Sequence, residues 1–291
     1  MSWSVSTALK LGRVSNLPTV WSNTLAGVVL AGASPFNWNI VSLTIAMTAA
    51  YIGGMFLNDA FDRKIDAKER PERPIPSGEV KAGDVYAAGF TLLGAAIMFS
   101  ALAAYGWGHS VLRSALIATA LCAAIVLYNA WHKNNPLSPV VMGACRMLVY
   151  LCAGFTAMES PSFMLYAGAI VLLAYLIGLT YVAKQENLGT VKNMWPLVFL
   201  AAPALFGIYA LIGDTQILLA LVAFNIWIIY CLYLIQRKES GDIPKAVVSM
   251  IAGISLVDAI FIASTSSLSI MALALIAFAF TLFLQRYISG T

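Results

Sequence analysis

Residues 39–66 read NIVSLTIAMTAAYIGGMFLNDAFDRKID. The first part, 39–57, contains no Asp, Glu, Lys or Arg. A helix needs ~20 residues to cross a bilayer core of ~30 Å, and this run has that length. Inside a bilayer the backbone must satisfy its own hydrogen bonds, so such a run reads as a helix. The second part, Asn58–Asp66, turns abruptly polar and carries three aspartates. An apolar span ending in a cluster of carboxylates therefore sets the fold class and marks where chemistry gathers.

The apolar pattern recurs along the chain. Ten runs are long enough to span: 17–34, 39–57, 83–106, 111–130, 138–158, 162–182, 195–212, 215–236, 244–263 and 268–286. Of the 291 residues, 60% are hydrophobic and 10% charged, against about 25% charged in soluble chains. The fold class expected is all-α, a single polytopic transmembrane domain over residues 1–291. The net charge of +4 is scattered through the connections between runs, which argues against a nucleic-acid partner. Cys122, Cys145, Cys152 and Cys231 fall inside apolar runs and read as small packing residues. No cleaved signal peptide is expected, and the first run reads as a retained helix.

Charge in the connections gives orientation. Gly32–Trp38, Gly106–Ser110, Glu159–Ser160, Gly213–Asp214 and Thr265–Ser267 are short and free of Lys and Arg. The alternate connections hold Arg63, Lys64, Lys68, Arg70, Arg73 and Lys81, then Lys133, then Lys184 and Lys192, then Arg237, Lys238 and Lys245. Lys10, Arg13 and Arg286 flank the ends, and only Arg113 and Arg146 break the pattern. Basic residues mark the cytoplasmic side, so a multi-pass inner-membrane protein with both termini cytoplasmic is expected. Trp3, Trp21, Trp38, Trp107, Trp131 and Trp195 sit near run ends, as in an interfacial aromatic belt. His109 and His132, also at run ends, read as solvated or interfacial.

On a helix, Asp59, Asp62 and Asp66 fall within a sector of about 60°. They repel one another and stand at a helix C-terminus, where the macrodipole disfavours negative charge. A hard divalent cation relieves both penalties, and Mg²⁺ accepts a few carboxylates with phosphate oxygens and water completing its shell. The stiff segment Arg70–Gly78, with Pro71, Pro74 and Pro76, holds Arg70 and Arg73 next to the acidic end. Guanidinium grips phosphate in a planar fork. Aspartates, Mg²⁺ and arginines together suit a diphosphate.

The N-D-x-x-D-x-x-x-D pattern at Asn58–Asp66, followed by R-P-x-R-P-I-P-S-G at Arg70–Gly78, resembles the UbiA superfamily of intramembrane prenyltransferases. Arg13-Val14-Ser15-Asn16-Leu17-Pro18-Thr19 is similar to the family's entry to its first helix. Tyr128, Lys133 and Gly143 are similar to its loop between helices four and five. The resemblance covers nearly the whole chain. It implies a bundle of about nine or ten helices around a central cavity. An isoprenyl diphosphate would bind there with Mg²⁺, and the prenyl group would pass to an aromatic or other lipophilic acceptor.

On that reading Asp59, Asp62 and Asp66 hold metal and act catalytically, with Asn58 a metal ligand or a determinant of motif geometry. Arg70 and Arg73 face the diphosphate, and Tyr128 and Lys133 face substrate. Asn16 and Asn23, two turns apart on one helix face, line the acceptor cavity or make a polar helix contact. Arg146 and Asp258, about two turns inside their helices, either face the cavity, Arg146 binding substrate there, or pair with each other.

The chain departs from the family twice. Its second acidic motif is replaced by Tyr181-Val182-Ala183-Lys184-Gln185-Glu186-Asn187, where Lys184 and Glu186 are the candidate catalytic groups. Lys184 is expected to face the diphosphate as a point charge in place of a second metal's ligand. There is also a tenth run where the family has nine. The variant stretch, with Met142–Arg146 and Ile254–Ala259, is similar to the UbiA-like EboC subgroup. The altered motif also admits a non-catalytic carrier or flippase of a prenyl or lipid diphosphate. Phosphoribosyl transfer to a lipid phosphate is a third reading.

Overall fold

The computed structural model of the chain describes residues 3–133, 135–185, 193–212, 215–237, 239–265 and 268–290. Among these residues eleven α-helices follow in order: α1 (Val5–Leu11), α2 (Leu17–Leu30), α3 (Asn39–Glu69), α4 (Ala82–Trp107), α5 (Val111–Trp131), α6 (Ser138–Ala157), α7 (Phe163–Ala183), α8 (Ala202–Leu211), α9 (Ile217–Arg237), α10 (Asp242–Ala263) and α11 (Leu268–Leu284). Each of the ten apolar runs is helical, α2 to α11. Seven of the described helices are long and apolar enough to cross a membrane. Glu186, Lys192 and Lys238 lie outside the described residues.

Where helices differ from the expected runs, backbone chemistry gives the reason. α2 stops at Leu30 instead of 34: Gly32 adopts φ +92 and Ala33 N–H turns back to the Val28 carbonyl, a glycine-terminated helix end. The seventh run opens as a 3₁₀ turn, Trp195–Ala201, before α8. Pro196 and Pro203 lack the N–H groups a continuous α-helix would use there. The short α1 was not expected. Ser4 caps it, accepting a bond from Thr7 N–H, and Leu11 buries beside Phe56 and Val85.

α3 runs unbroken through the acidic motif. Its 31 residues span about 46 Å at 1.5 Å per residue, more than a bilayer core of ~30 Å. Its last turns therefore stand clear of the apolar slab.

Two apolar groups make the core. One centres on α10, buried along nearly its whole length, with α7 and α9 around it. The other joins α2 to α6. Lipid tails are as apolar as these side chains, so close packing rather than water exclusion holds such helices together. Gly27 and Gly154 make the α2–α6 crossing: a Cβ on Gly27 would meet the Tyr150 carbonyl and Ala153 Cβ, both at 2.8 Å. Large apolar side chains such as Leu112, Ile170, Leu205, Ile226 and Ile276 face outward, as a lipid-facing surface requires. Trp38, Trp131 and Trp195 are exposed at helix ends, whereas Trp3 packs on Phe56 and Trp107 packs into the second core group. All four cysteines are buried and free.

Candidate active site

Between the two core groups lies a cavity of about 310 Å³. One end is polar, lined by Asp62, Asp66, Glu69, Arg70, Arg73, His132 and Lys133. The interior is largely apolar, with Val20, Met47, Leu121 and Val149 on one wall and Leu176, Ile251 and Ile254 on the other. The polar mouth forms where the C-terminal ends of α3 and α5 meet, because the acidic motif extends α3 beyond the apolar slab.

Each aspartate of the motif is matched by cations. Arg73 Nη1 donates to Asp66 Oδ2 at 2.9 Å and to Asp59 Oδ1 at 3.2 Å. Asp62 Oδ2 has His132 Nε2 at 3.3 Å and Lys133 Nζ at 3.5 Å. His132 Nδ1 meanwhile faces the Tyr128 and Asn129 carbonyls. Both ring nitrogens thus face acceptors. The ring also stacks on Tyr128, with centroids 5.0 Å apart. Arg70 lines the mouth and makes no ion pair among the described residues.

Arg13 completes the mouth. Its Nη2 donates at 3.1 Å to both Asn58 Oδ1 and Asp59 Oδ1. Its backbone has φ 42 and ψ 48, the left-handed region non-glycine residues avoid. Tyr51 OH donates to the Arg13 carbonyl. Asn58 Nδ2 donates to Asn129 Oδ1, and Asn129 Nδ2 to the Gly54 carbonyl. Asn58 is thereby oriented from α5 and from the loop before α2.

The structure separates the candidate residues. Asp59 does not line the cavity; Arg13 and Arg73 enclose it. Among the described residues, no three His, Cys, Asp or Glu side chains converge as a metal cage. Lys184 is also away from the cavity lining. It follows the last turn of α7, and Nζ donates to the Asn135 carbonyl at 2.6 Å and Ser138 Oγ at 2.9 Å. It pins the α5–α6 connection, and desolvation there lowers its ammonium pKa. His132, half-buried at the end of α5, is a neighbour of Asp62. Asn23 does not line the cavity.

Asn16 does line it, donating to the Gly290 carbonyl and accepting from Gln285 Nε2. Deeper in the cavity, Arg146 Nη1 donates to Asn23 Oδ1 at 2.7 Å and Nη2 to Thr19 Oγ1 at 3.2 Å. Its guanidinium lies over the Tyr51 ring, 5.7 Å from the centroid. Asn23 Nδ2 contacts both oxygens of Asp258 at 2.9 Å. Ser22 Oγ and Tyr150 OH also donate to that carboxylate, which is fully buried. Arg146 faces the cavity and Asp258 does not.

Arg13, Tyr51, Asn129 and His132 were not among the sequence's site candidates. Arg13 heads the motif at Arg13–Thr19, and Asn129 follows Tyr128, so proximity to marked residues was the available signal.

A model of the UbiA prenyltransferase family matches residues 20–187. Protoheme IX farnesyltransferase 1 of Cenarchaeum symbiosum (strain A) is 30% identical over 160 residues, 53% of this chain and 49% of that protein. The digeranylgeranylglyceryl phosphate synthase of Methanopyrus kandleri is 26% identical over 172 residues, 58% of this chain and 59% of that one. The chain spans about half the length of the curated relatives it matches. The apo structure of a UbiA homologue from Aeropyrum pernix K1 superposes with a TM-score of 0.67 at 16% identity, covering 84% of this chain and 96% of that one. A structure described under digeranylgeranylglyceryl phosphate synthase gives 0.63 at 19% identity, covering 89% of this chain and 97% of its own. Both likenesses are of fold.

Proposed function

The chain belongs to the UbiA prenyltransferase family, and on that premise we propose that it transfers the prenyl group of a Mg²⁺-complexed isoprenyl diphosphate to a lipophilic acceptor within the membrane. One observation carries the reading: a mouth dense in charge opens onto an otherwise mostly apolar cavity. A diphosphate with an isoprenoid tail has that same division.

The donor set fits Mg²⁺ of a particular kind. Among the described residues it does not make an all-protein cage. Asp62 and Asp66, one turn apart with both side chains on the wall, suit an ion that takes one or two carboxylates and fills its shell with phosphate oxygens and water. These two residues would hold it, with Asn58 beside them. Bound there, Mg²⁺ would neutralise charge developing on the leaving diphosphate.

Arg70, Arg73 and Lys133 supply donors aimed at the same oxygens, where preorganised charge favours the transition state over the ground state. The allylic C–O bond breaks and its electron pair leaves with the diphosphate. The carbocation-like carbon is enclosed by the apolar walls, which exclude water. The Tyr128 ring on the wall, close to the mouth, offers a π face to a cation. The acceptor's nucleophilic atom donates a pair to that carbon, and its proton passes to an oxygen at the mouth. We assign the mouth and both termini to the cytoplasmic face of the inner membrane, on the placement of Lys and Arg.

Titration calorimetry with a non-hydrolysable prenyl diphosphate analogue, with Mg²⁺ and with chelator, tests this. Wild type binds in a Mg²⁺-dependent way, and Asp62→Ala loses that binding. The sign is informative. Were the anion held by cations alone, removing Asp62 would free Lys133 and His132 and tighten binding. Unchanged or tighter binding in the variant removes the metal–diphosphate reading.

A further inference from the structure

A hydrogen-bonded relay crosses from α5 to α3 and on to the loop before α2. Asn129 Nδ2 donates to the Gly54 carbonyl at 3.0 Å. Asn58 Nδ2 donates to Asn129 Oδ1 at 3.1 Å. Arg13 Nη2 donates to Asn58 Oδ1 at 3.1 Å. Both asparagines are buried, and both line the cavity. Close packing of α5 on α3 brings Asn129 into reach. A Cβ on Gly54 would sit 3.0 Å from Ile125 Cγ2, and Ile125 lies one turn before Asn129.

The polarity of this relay is fixed from both ends. A backbone carbonyl only accepts and a guanidinium only donates. Gly54 therefore takes the amide N–H of Asn129 and leaves its oxygen for Asn58. Asn58 must turn its own N–H to that oxygen, which leaves Asn58 Oδ1 on the Arg13 side. Flipping Asn58, Asn129 or both would set donor against donor or acceptor against acceptor at two of the three contacts. Such mismatches are costly where the groups are shut away from water. An amide oxygen has two lone pairs, and Arg13 takes one. The other falls to the mouth, one helical turn before Asp62. An oxygen at that place suits a hard cation or the water on it, whereas an N–H would repel it.

We propose that Asn129 is a positioning residue for the transfer reaction, holding the Asn58 amide with its oxygen, and not its N–H, turned to the Mg²⁺–diphosphate. This rests on the transferase reading and assigns a role in it to a residue outside the acidic motif. Loss of a group that orients a metal ligand weakens metal binding about 10–100-fold.

The test uses the full chain in nanodiscs and a non-hydrolysable prenyl diphosphate analogue, titrated across Mg²⁺ concentrations and in chelator. Asn129→Leu removes both bonds of the relay at similar volume. Its Mg²⁺ midpoint for binding should rise about tenfold or more. Affinity in chelator should stay within about twofold, because Arg70, Arg73 and Lys133 are untouched. Asn129→Ala loses the same bonds without bulk and serves if the leucine variant does not fold. Asn129→Thr offers one hydroxyl, which can donate to Gly54 and accept from Asn58, so its midpoint should return to within about threefold of wild type. A midpoint within about twofold of wild type in the leucine or alanine variant overturns the proposal. Equal losses with Mg²⁺ and in chelator also overturn it, since they mean that Asn129 only braces the fold. So does a threonine variant no better than leucine, because polarity would then not matter. A wild type whose binding does not respond to Mg²⁺ sinks the transferase reading and this inference with it. A responsive wild type with unshifted variants sinks this inference alone.

Discussion

Arg13 reaches across 46 positions of sequence to set its Nη2 3.1 Å from Asp59 Oδ1. The contact joins the loop before α2 to the charged end of α3, and a left-handed Arg13 backbone holds it. Such a conformation costs of order 1–3 kcal/mol and persists where surrounding contacts dictate it. Here they are the Tyr51 bond to the Arg13 carbonyl and the guanidinium bonds to Asn58 and Asp59.

Arg13→Gln removes the charge and leaves Asp59 to Arg73 alone. Arg73 would then be drawn from Asp66, disturbing a carboxylate on the cavity wall. The expected result is about a tenfold or greater loss of Mg²⁺-dependent prenyl diphosphate affinity. Arg13→Gly loses the same contacts but relieves the left-handed backbone. Its melting temperature should lie above that of the glutamine variant at similar affinity loss. Wild-type affinity in both would show that Arg13 only braces the fold.

Lys184 should behave differently from the mouth residues. Its bonds run to the Asn135 carbonyl and Ser138 Oγ, so Lys184→Ala should loosen the α5–α6 connection by about 1 kcal/mol. A melting temperature lower by a few degrees, with ligand affinity within about twofold of wild type, is expected. Lys184→Asp should gain nothing from added Mg²⁺. A tenfold affinity loss in Lys184→Ala, without a change in melting, would return this lysine to the diphosphate.

The apolar spans were legible because length and hydropathy are local properties. So was the concentration of chemistry at Asn58–Arg73, since helical periodicity alone gathers Asp59, Asp62 and Asp66 on one side. Periodicity could not say that Arg13 and Arg73 would enclose Asp59 while Asp62 and Asp66 face the cavity. That division depends on side chains 7 to 46 residues away. His132 looked interfacial because a helix end gives no hint that Asp62 waits across it. Asn23 and Arg146 lie 123 positions apart; both drew notice as polar groups in apolar runs, but their pairing is a tertiary fact.

Gly27 offers a test of how the deep charge is held. Any Cβ there sits 2.8 Å from the Tyr150 carbonyl and from Ala153 Cβ, so α2 and α6 must part. Gly27→Val should destabilise by about 1–3 kcal/mol or more. Asn23 and Thr19 ride on the same helix and would shift from Arg146. Gly94→Ala, with nothing within 4 Å of the added Cβ, is the control and should melt no lower than wild type. Equal melting of the two variants would refute the close α2–α6 crossing.

Orientation gives the last prediction. Asn16, just before α2, meets Gly290, just after α11, directly, so the two ends of the described chain share one side, as an even number of crossings requires. The basic residues of the mouth lie on that side. Both exceptions in the charge pattern have structural employment. Arg113 donates to the carbonyls of Phe155, Met158 and Glu159 at the end of α6 and pairs with the Glu159 carboxylate. Arg146 faces the cavity. Neither is a free charge in a connection, so neither weakens the positive-inside assignment. An alkaline phosphatase fused through a linker to the C-terminus should be inactive, and one inserted after Gly108 should be active. A C-terminal fusion active in the periplasm would mean an odd number of crossings. The two short apolar spans, Trp195–Leu211 and Leu268–Leu284, would then be the first candidates for a segment that enters the bilayer without crossing it.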